Sequence, residues 1–433
     1  MKSSMPISAY VPKPLLTVRA ALDFLHSAAR PVTEIDTIAT LAANGRVLAA
    51  AQTSTLNVPD QDNTSMDGYA VRAADCASGA ATLLVAQRIA AGHVGQPLQS
   101  GTAARIFTGA LIPPGADCVV MQEQCEVQPA VQPSIQSKVK SELTPGAAIM
   151  VTIKHAPRAG EWIRRAGEDI CAGSAILAAG TRLRSQELGL AASVGLAVLP
   201  VWRKLRVAVF FTGDELAMPG EPLAPGAVYN SNRYTLRALL ENLGCTISDY
   251  GIVPDSLEAT RSVLRAASQQ HDLIITSGGV SVGEEDHIKP AVEAEGRLNL
   301  WQIGVKPGKP LAFGEVNQAF FLGLPGNPVA SFVTFLLFVR PFILRLQGVT
   351  DAAALAPASY TLRADFDGVK ADRRNEFLRA KMNANGGLDL FPNQSSGVLT
   401  STVWGDGLID NPPGNLIKAG DLVRFIPFHA LLH

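Results

Sequence analysis

Apolar and polar positions change rhythm along the chain, and each change predicts a different kind of structure. Over 15–29 (LLTVRAALDFLHSAA) apolar groups recur at helical spacing and Pro31 closes the run, which predicts a helix; a second helix is expected within 33–43, stopping at Asn44-Gly45. From Gln52 to about Arg164, short β-prone pieces such as TLLVAQRI, ARIFTG and DCVVMQEQ alternate with Gly, Pro and polar turns. This stretch reads as a β-rich insertion, with QPAVQPSIQSKVK (128–140) as a surface excursion within it. Ser185 is placed to cap a short helix that ends at Gly195.

From Arg206 the pattern becomes βαβ. RVAVFF is a buried-strand run, and the helix after it has Asn230 or Ser231 as its cap, Leu236, Leu239, Leu240 and Leu243 on one face, and Gly244 as its stop. TISDYGIV is the next strand, Asp255 opens the helix DSLEATRSVLRAAS with Glu258 three residues on, and DLIIT is a further buried strand. NLWQIGV, PLAF and AFFLGL lead to PGNP and a long apolar run. Strands alternating with helices predict a mostly parallel sheet covered on both faces. After about Gly348, RADF, NEFLRAKM, LDLFPN and DLVRFIPF predict a small all-β terminal domain.

Composition narrows the function classes. With 433 residues, the chain has room for two to four domains of about 100–200 residues each. It is 47% hydrophobic and 17% charged, so it has the apolar surface to bury large cores. A net charge of −1, from 37 basic and 38 acidic groups, lacks the basic excess of a nucleic-acid binder. Five cysteines without a CxxC pair fit reduced thiols better than a disulfide framework or structural zinc. The first residues show no continuous apolar leader, and the run 329–344 is broken by Arg340 and Pro341 and falls short of the ~18 residues of a membrane span. A cytoplasmic protein without membrane or nucleic-acid partners is expected.

Candidate chemistry gathers at strand ends, where open α/β sheets bind ligands. TGDE, SGGVSVGEED and LPGNP each follow a predicted strand. Gly278, Gly279 and Gly283, following Ser277, permit close backbone approach, so several N–H groups can face one anion, and Pro325, Gly326 and Asn327 offer a second such turn. Any one Gly-rich turn equally serves only to pack a strand against a helix. Asp214, Glu215, Glu284, Glu285 and Asp286 are more acid than a phosphate site accommodates without a cation, and Mg²⁺ suits hard oxygen ligands beside phosphate. Asp255 fits both a helix cap and a site residue. In VKPGKP, Lys306 and Lys309 flank a stiff turn after a strand, an arrangement for a compact oxyanion or pyrophosphate, and Arg373, Arg374 and Arg379 add basic groups beyond it. Asp67-Gly68 reads locally as a hairpin turn with Tyr69 and Val71 packed inward. HxxH, HExxH and GxSxG spacings are absent, which removes support for zinc hydrolysis and elbow-serine chemistry.

Taken together, DNTSMDGYAVR, RIFTGA, GADCVVMQE, RRAGEDI, GTRL, FFTGDEL, TSGGVSVGEEDH, VKPGKPLAFG and GLPGNPVAS resemble, in order, the motifs of the MoeA family of molybdopterin molybdenumtransferases. That family is similar to the E domains of its plant counterpart and of gephyrin. The resemblance implies an α/β and β multidomain fold: a discontinuous helical and mixed domain (1–52 and 164–200), a β-rich insertion (53–163), a MogA-like α/β domain with a mostly parallel sheet (201–347) and a C-terminal β-barrel (348–433). It implies a homodimer whose active cleft is shared between subunits, a transient MogA-type adenylyltransferase partner, and Mg²⁺-dependent conversion of adenylylated molybdopterin and molybdate into molybdenum cofactor and AMP. By position it implies that Asp255, Asp286 and Glu215 serve Mg²⁺ and the nucleotide, with Glu215 needed for activity. Ser281, Lys306, Lys309, Arg379 and Ser396 would hold molybdate or the pterin phosphate, and Asp67, Thr108 and Asp169 would act from the insertion side. The family's Y-D-[ST]-N-R is YNSNR here, so Asn230 keeps a cap but loses a charge.

Two alternatives share the fold: a MogA-like adenylyltransferase, which carries a GGTG-type loop where this chain has GGVSVGEED, and a non-catalytic scaffold or storage protein, against which the retained acids and lysines speak. On the family resemblance, Asp286→Ala is expected to abolish AMP release from adenylylated molybdopterin; near-normal turnover would remove the role assigned to this acid.

Overall fold

The computed structural model describes residues 15–129, 149–279, 287–308, 310–368 and 370–432. The chain folds as two compact units: the described parts of Met1–Ala50, Ala179–Ser185 and Val198–His433 form one, and those of Ala51–Ala178 and Gln186–Ala197 form the other.

In the larger unit, a six-stranded sheet has the order Thr246–Val253, Arg206–Thr212, Leu273–Ser277, Ala319–Leu324, Pro310–Val316, Gly296–Gln302. The first four are parallel and the last two join antiparallel. Continuous apolar strands arise because both faces are covered. Val207, Val209 and Phe211 pack with Leu236, Leu240 and the helices after Pro328, whereas Ala208 and Phe210 pack with Leu264, Ile288 and Val292 on the opposite face.

Helix Val18–Ala28 forms as the spacing predicts, capped by Thr17. The helix expected within 33–43 does not: Ile35–Ala39 is a strand paired with Val198–Trp202, followed by one 3₁₀ turn at Thr40–Ala42. Its β-branched Ile35, Thr37 and Ile38 suit a pleated partner better than a helix. Nor do Arg340 and Pro341 break the long apolar run. Pro328–Leu346 is a continuous 19-residue helix, long and apolar enough to cross a membrane but 94% buried inside the protein. A π-helical stretch, Phe335–Val339, lies just before Pro341 and widens the coil where the ring would meet the carbonyl of Leu337.

The C-terminal residues form a second sheet in the same unit, in the order Val305–Lys306, Asn375–Met382, Gly407–Asn411, Leu422–Pro427, Tyr360–Arg363, with Leu388–Leu390 against Asn375–Met382. A bridge from Ala364 to Leu388 joins its far edge back to that short strand, so the expected barrel closes around Leu378, Ile409 and Phe425.

The smaller unit is built on six strands ordered Cys118–Met121, Gly68–Val71, Thr102–Ile106, Ala81–Ile89, Ile149–Ile153, Cys125–Pro129. The hairpin expected at Asp67-Gly68 is absent, because Gly68 begins a central strand whose neighbours are Thr102–Ile106 and Cys118–Met121. A Cβ on Gly68 would collide with the Val120 carbonyl oxygen, so the glycine serves close strand approach rather than a turn. Tyr69 and Val71 do pack inward. All five cysteines are free.

Asp272 fixes the start of the central strand. It accepts hydrogen bonds from both terminal nitrogens of Arg203 (2.7 and 2.8 Å) and from the Arg206 amide (2.8 Å). Burial pushes its pKa up, but the Arg203 and Arg206 hydrogen bonds outweigh that and hold it below the ordinary value. With a folded pKa below the unfolded one, its contribution is present above about pH 4 and disappears as pH falls through the folded value. Asp272→Asn should lower stability by about 2 kcal/mol at pH 7. Urea midpoints for variant and parent should converge in strong acid.

Candidate active site

At the carboxyl ends of the parallel strands lies a cleft of about 990 Å³, formed entirely within the larger unit. The strand Arg206–Thr212 has the second parallel strand on one side and the third on the other, so chain direction across the sheet reverses beside it. Loops leaving the sheet at such a point diverge and open a crevice.

Three of these loops are tied by one carboxamide. Asn232 Nδ2, in the first turn of helix Ser231–Asn242, donates to Ser277 Oγ (2.8 Å) and to the Gly326 carbonyl (2.7 Å), and Ser277 Oγ donates to the Pro325 carbonyl (2.9 Å). Asn232 and Ser277 are both buried, so the tie is shielded from water and costly to break. Asn230 caps that helix by accepting from the Arg233 amide (3.1 Å). The cap survives without the family's aspartate charge.

Gly278 and Gly279 have φ of +98° and +60°. A Cβ on Gly278 would meet the Thr212 carbonyl oxygen at 2.8 Å, so the loop needs glycine both for its conformation and for its approach to the neighbouring strand end. Gly213, one strand over, has a φ of +144°, and the Glu215 carboxylate lies beside its Cα.

Asp255 also lines the cleft. It is not the helix cap: Ser256 caps Leu257–Ser268, its hydroxyl accepting from the Ala259 amide (3.3 Å). Serine one residue later takes the capping geometry, and the capping-box reading of Asp255 with Glu258 is corrected.

A further wall comes from the C-terminal sheet. Val305–Lys306 pairs with Asn375–Met382, and the Lys306-Pro307 bond is cis. Lys306 Nζ lies 2.7 Å from Glu376 and 3.4 Å from Asp372. Its pKa is raised, chiefly by the hydrogen bond to Glu376. Gln394, Ser395, Ser396 and Gly397 complete the wall, and the Ser396 carbonyl accepts from the Val329 amide (3.0 Å), one of the N–H groups left open at the start of helix Pro328–Thr334.

The cleft therefore brings carboxylates (Glu215, Asp255) and glycine-bearing strand ends together with a lysine and a serine-bearing loop. Profiles of known families match the chain in three stretches: the MoeA N-terminal region (domain I and II) over residues 16–195, a probable molybdopterin binding domain over 208–345, and the MoeA C-terminal region (domain IV) over 361–428. The chain is 39% identical over 400 residues to the molybdopterin molybdenumtransferase of Haemophilus influenzae, covering 90% of this chain and 93% of that protein.

The chain belongs to the MoeA family.

A Nostoc molybdopterin molybdenumtransferase is 37% identical over 356 residues, covering 79% of this chain and 77% of its own. The solved molybdopterin biosynthesis MoeA protein of Pyrococcus horikoshii OT3 superposes with a TM-score of 0.78 at 25% identity, covering 96% and 100% of the two chains.

Of the residues expected from the sequence, this MoeA chain brings Glu215, Asp255, Ser277, Gly278, Gly279, Lys306, Pro325, Gly326, Asn327 and Ser396 to one cleft. Ser281, Glu284, Glu285, Asp286 and Lys309 lie outside the described residues. Arg379 is fully buried and does not line the cleft: Nε donates to Ser401 Oγ (3.1 Å), and its terminal nitrogens donate to the carbonyls of Phe377 and Ser395 (3.3 Å each). Burial pushes its pKa down to about 10, which still leaves it charged at neutral pH. Asp67 and Thr108 meet in the smaller unit, where the Thr108 amide and hydroxyl both donate to Asp67 Oδ1 (2.8 and 2.7 Å). The amide bond comes first in holding this carboxyl below its ordinary pKa. Asp169, in the same unit, is exposed, and its amide donates to the Val58 carbonyl (3.0 Å).

Sequence reasoning missed Asn232 and Gln394. Asn232 is the most informative, since YNSNR shows it but nothing local says that its partners are 45 and 94 residues away. Asn232→Ala should lower stability by about 2 kcal/mol through the stranded Ser277 and Gly326 groups. A urea midpoint equal to that of the parent would contradict the tie.

Proposed function

We propose that this chain is a molybdopterin molybdenumtransferase that inserts molybdenum from molybdate into adenylylated molybdopterin and releases AMP, giving molybdenum cofactor. The observation that carries this reading is one cleft lined by glycine-bearing strand ends, the carboxylates Glu215 and Asp255, Lys306 and the Ser396 loop, in a chain that aligns with enzymes of that name over nearly its full length.

The chemistry follows from the two walls. The Gly278–Gly279 loop and the turn 325–327 approach the phosphate oxygens through bare backbone, orienting the pyrophosphate bond without a covalent intermediate. Lys306 and the Ser396 loop hold molybdate beside the pterin, and proximity of the two bound reactants lowers the barrier.

Asp255 and Glu215 supply oxygen ligands on the phosphate side, and among the described residues no group of three or more His, Cys, Asp or Glu side chains forms a protein-only metal cage. That donor set fits Mg²⁺, which binds through one or two carboxylates together with substrate oxygens, and Asp286 would be its further ligand. When bound, Mg²⁺ supplies neutralisation of charge on the pyrophosphate as the bond to AMP breaks.

On the same reading the enzyme is a cytoplasmic homodimer with the four domains that the family implies. Asp67, Thr108 and Asp169 act on the cleft of the partner subunit, Arg379 serves the molybdate side by bracing the loop around Ser395, and a MogA-type adenylyltransferase delivers the adenylylated substrate transiently.

Purified protein given adenylylated molybdopterin, molybdate and Mg²⁺ should release AMP only once molybdate is added, and the product should reconstitute an apo-molybdoenzyme. ATP consumption with pyrophosphate release would identify an adenylyltransferase instead. Binding without AMP release would favour a scaffold.

A further inference from the structure

Lys306 does not enter the cleft as a bare charge. It is the register partner of Glu376 across the parallel pair Val305–Lys306 and Asn375–Met382, and its ammonium contacts Glu376 Oε1 at 2.7 Å. The Glu376 side chain is only 3% exposed, whereas that of Lys306 is 41% exposed and lines the cleft. Glu376 is therefore out of a ligand's reach and acts only through the amine above it. Its second oxygen faces Asn411 Nδ2 (3.5 Å), and Asn415 Nδ2 donates to Asn411 Oδ1 (2.8 Å), which fixes that amide's orientation.

Asp372, 3.4 Å from the same ammonium, is held in turn by Arg374, whose Nε reaches Oδ1 at 3.0 Å and whose terminal nitrogen reaches Oδ2 at 2.8 Å. Arg374 is the largest influence keeping Asp372 well below the usual carboxylate range, so it remains a charged acceptor. A lysine side chain is a flexible four-carbon stem with three N–H donors. Two acceptors on fixed supports remove most of that freedom.

We propose that Glu376 and Asp372 are positioning residues for Lys306: they occupy two of its three N–H donors and leave the third directed to the cleft, to meet an oxyanion at one defined point. This rests on the reading of the cleft as the molybdate site. Among the described residues, Asp372, Glu376 and Arg374 are the charged groups grouped around Lys306, two negative and one positive. With Lys306 itself the set has no net charge, so the amine's contribution is directional rather than a general attraction for anions.

The test uses full-length Glu376→Gln, which preserves shape, with AMP release measured against molybdate concentration. The expected result is a fall in kcat/KM for molybdate of about tenfold or more, with KM for adenylylated molybdopterin within about twofold of the parent. The alkaline limb of that kcat/KM should shift to lower pH, because the lost carboxylate favours the charged amine, and Glu376→Asp should recover part of the loss. If glutamine lowers the urea midpoint, Asp372→Asn, at a position 19% exposed, carries the same kinetic test.

Parent-like kinetics for molybdate, or equal losses for both substrates with an unmoved pH profile, would overturn the positioning role. Lys306→Ala separates the two levels. If it too turns over normally, the cleft reading falls; if it fails while Glu376→Gln does not, only the positioning proposal falls.

Discussion

The hydrogen-bonded tie from Asn232 to Ser277, Pro325 and Gly326 is the constraint on which the site depends. Parallel strands end at one edge without hairpins to join them, so their following loops have no backbone ladder in common. A buried carboxamide and a buried hydroxyl replace that ladder. Once the loops are registered, the glycine conformations at 278 and 279 and the close approach to the Thr212 carbonyl follow. The same buried sheet that demands continuous apolar strands thus also fixes where the chemistry can occur.

The second wall has a different origin. A two-residue strand, Val305–Lys306, leaves the α/β region and pairs with the C-terminal sheet, so Lys306 is held by barrel residues while facing the cleft. Arg379 works one layer deeper. Its bond to the Ser395 carbonyl, and the Gln394 side chain bonded to both the amide and carbonyl of Arg379, brace the loop that presents Ser396. Arg379, which the resemblance links to the anion, is fully buried and touches this loop without lining the cleft.

Much of this was legible in the chain because it is local. Helix Val18–Ala28, the strands RVAVFF and DLIIT, and the glycine loop after Thr276 follow from periodicity, turn chemistry and the need for positive φ. The errors also have local causes that tertiary structure overrode. Residues 33–43 carry a pattern compatible with a helix, yet a partner strand at Val198–Trp202, far along the chain, claims Ile35–Ala39. Pro341 looked like a helix breaker, but an upstream π turn accommodates it. Asp255 looked like a cap because Asp and Ser are both good caps, and only geometry chooses Ser256. Asp67 looked like part of a turn because its bonds to Thr108 cross 41 residues. What the sequence concealed was register: Lys306 against Glu376 and Asn232 against Gly326 are pairings that no window of neighbouring residues contains.

The most direct test of the central claim is to locate the oxyanion itself. Crystals of the full-length protein with adenylylated molybdopterin, soaked in tungstate as a heavy analogue of molybdate, would reveal the metal by anomalous scattering. The account predicts a peak inside the cleft, within hydrogen-bonding reach of Lys306 Nζ and beside the 394–397 loop. A fully occupied peak elsewhere, with this cleft empty of metal while the pterin ligand is bound, would contradict it.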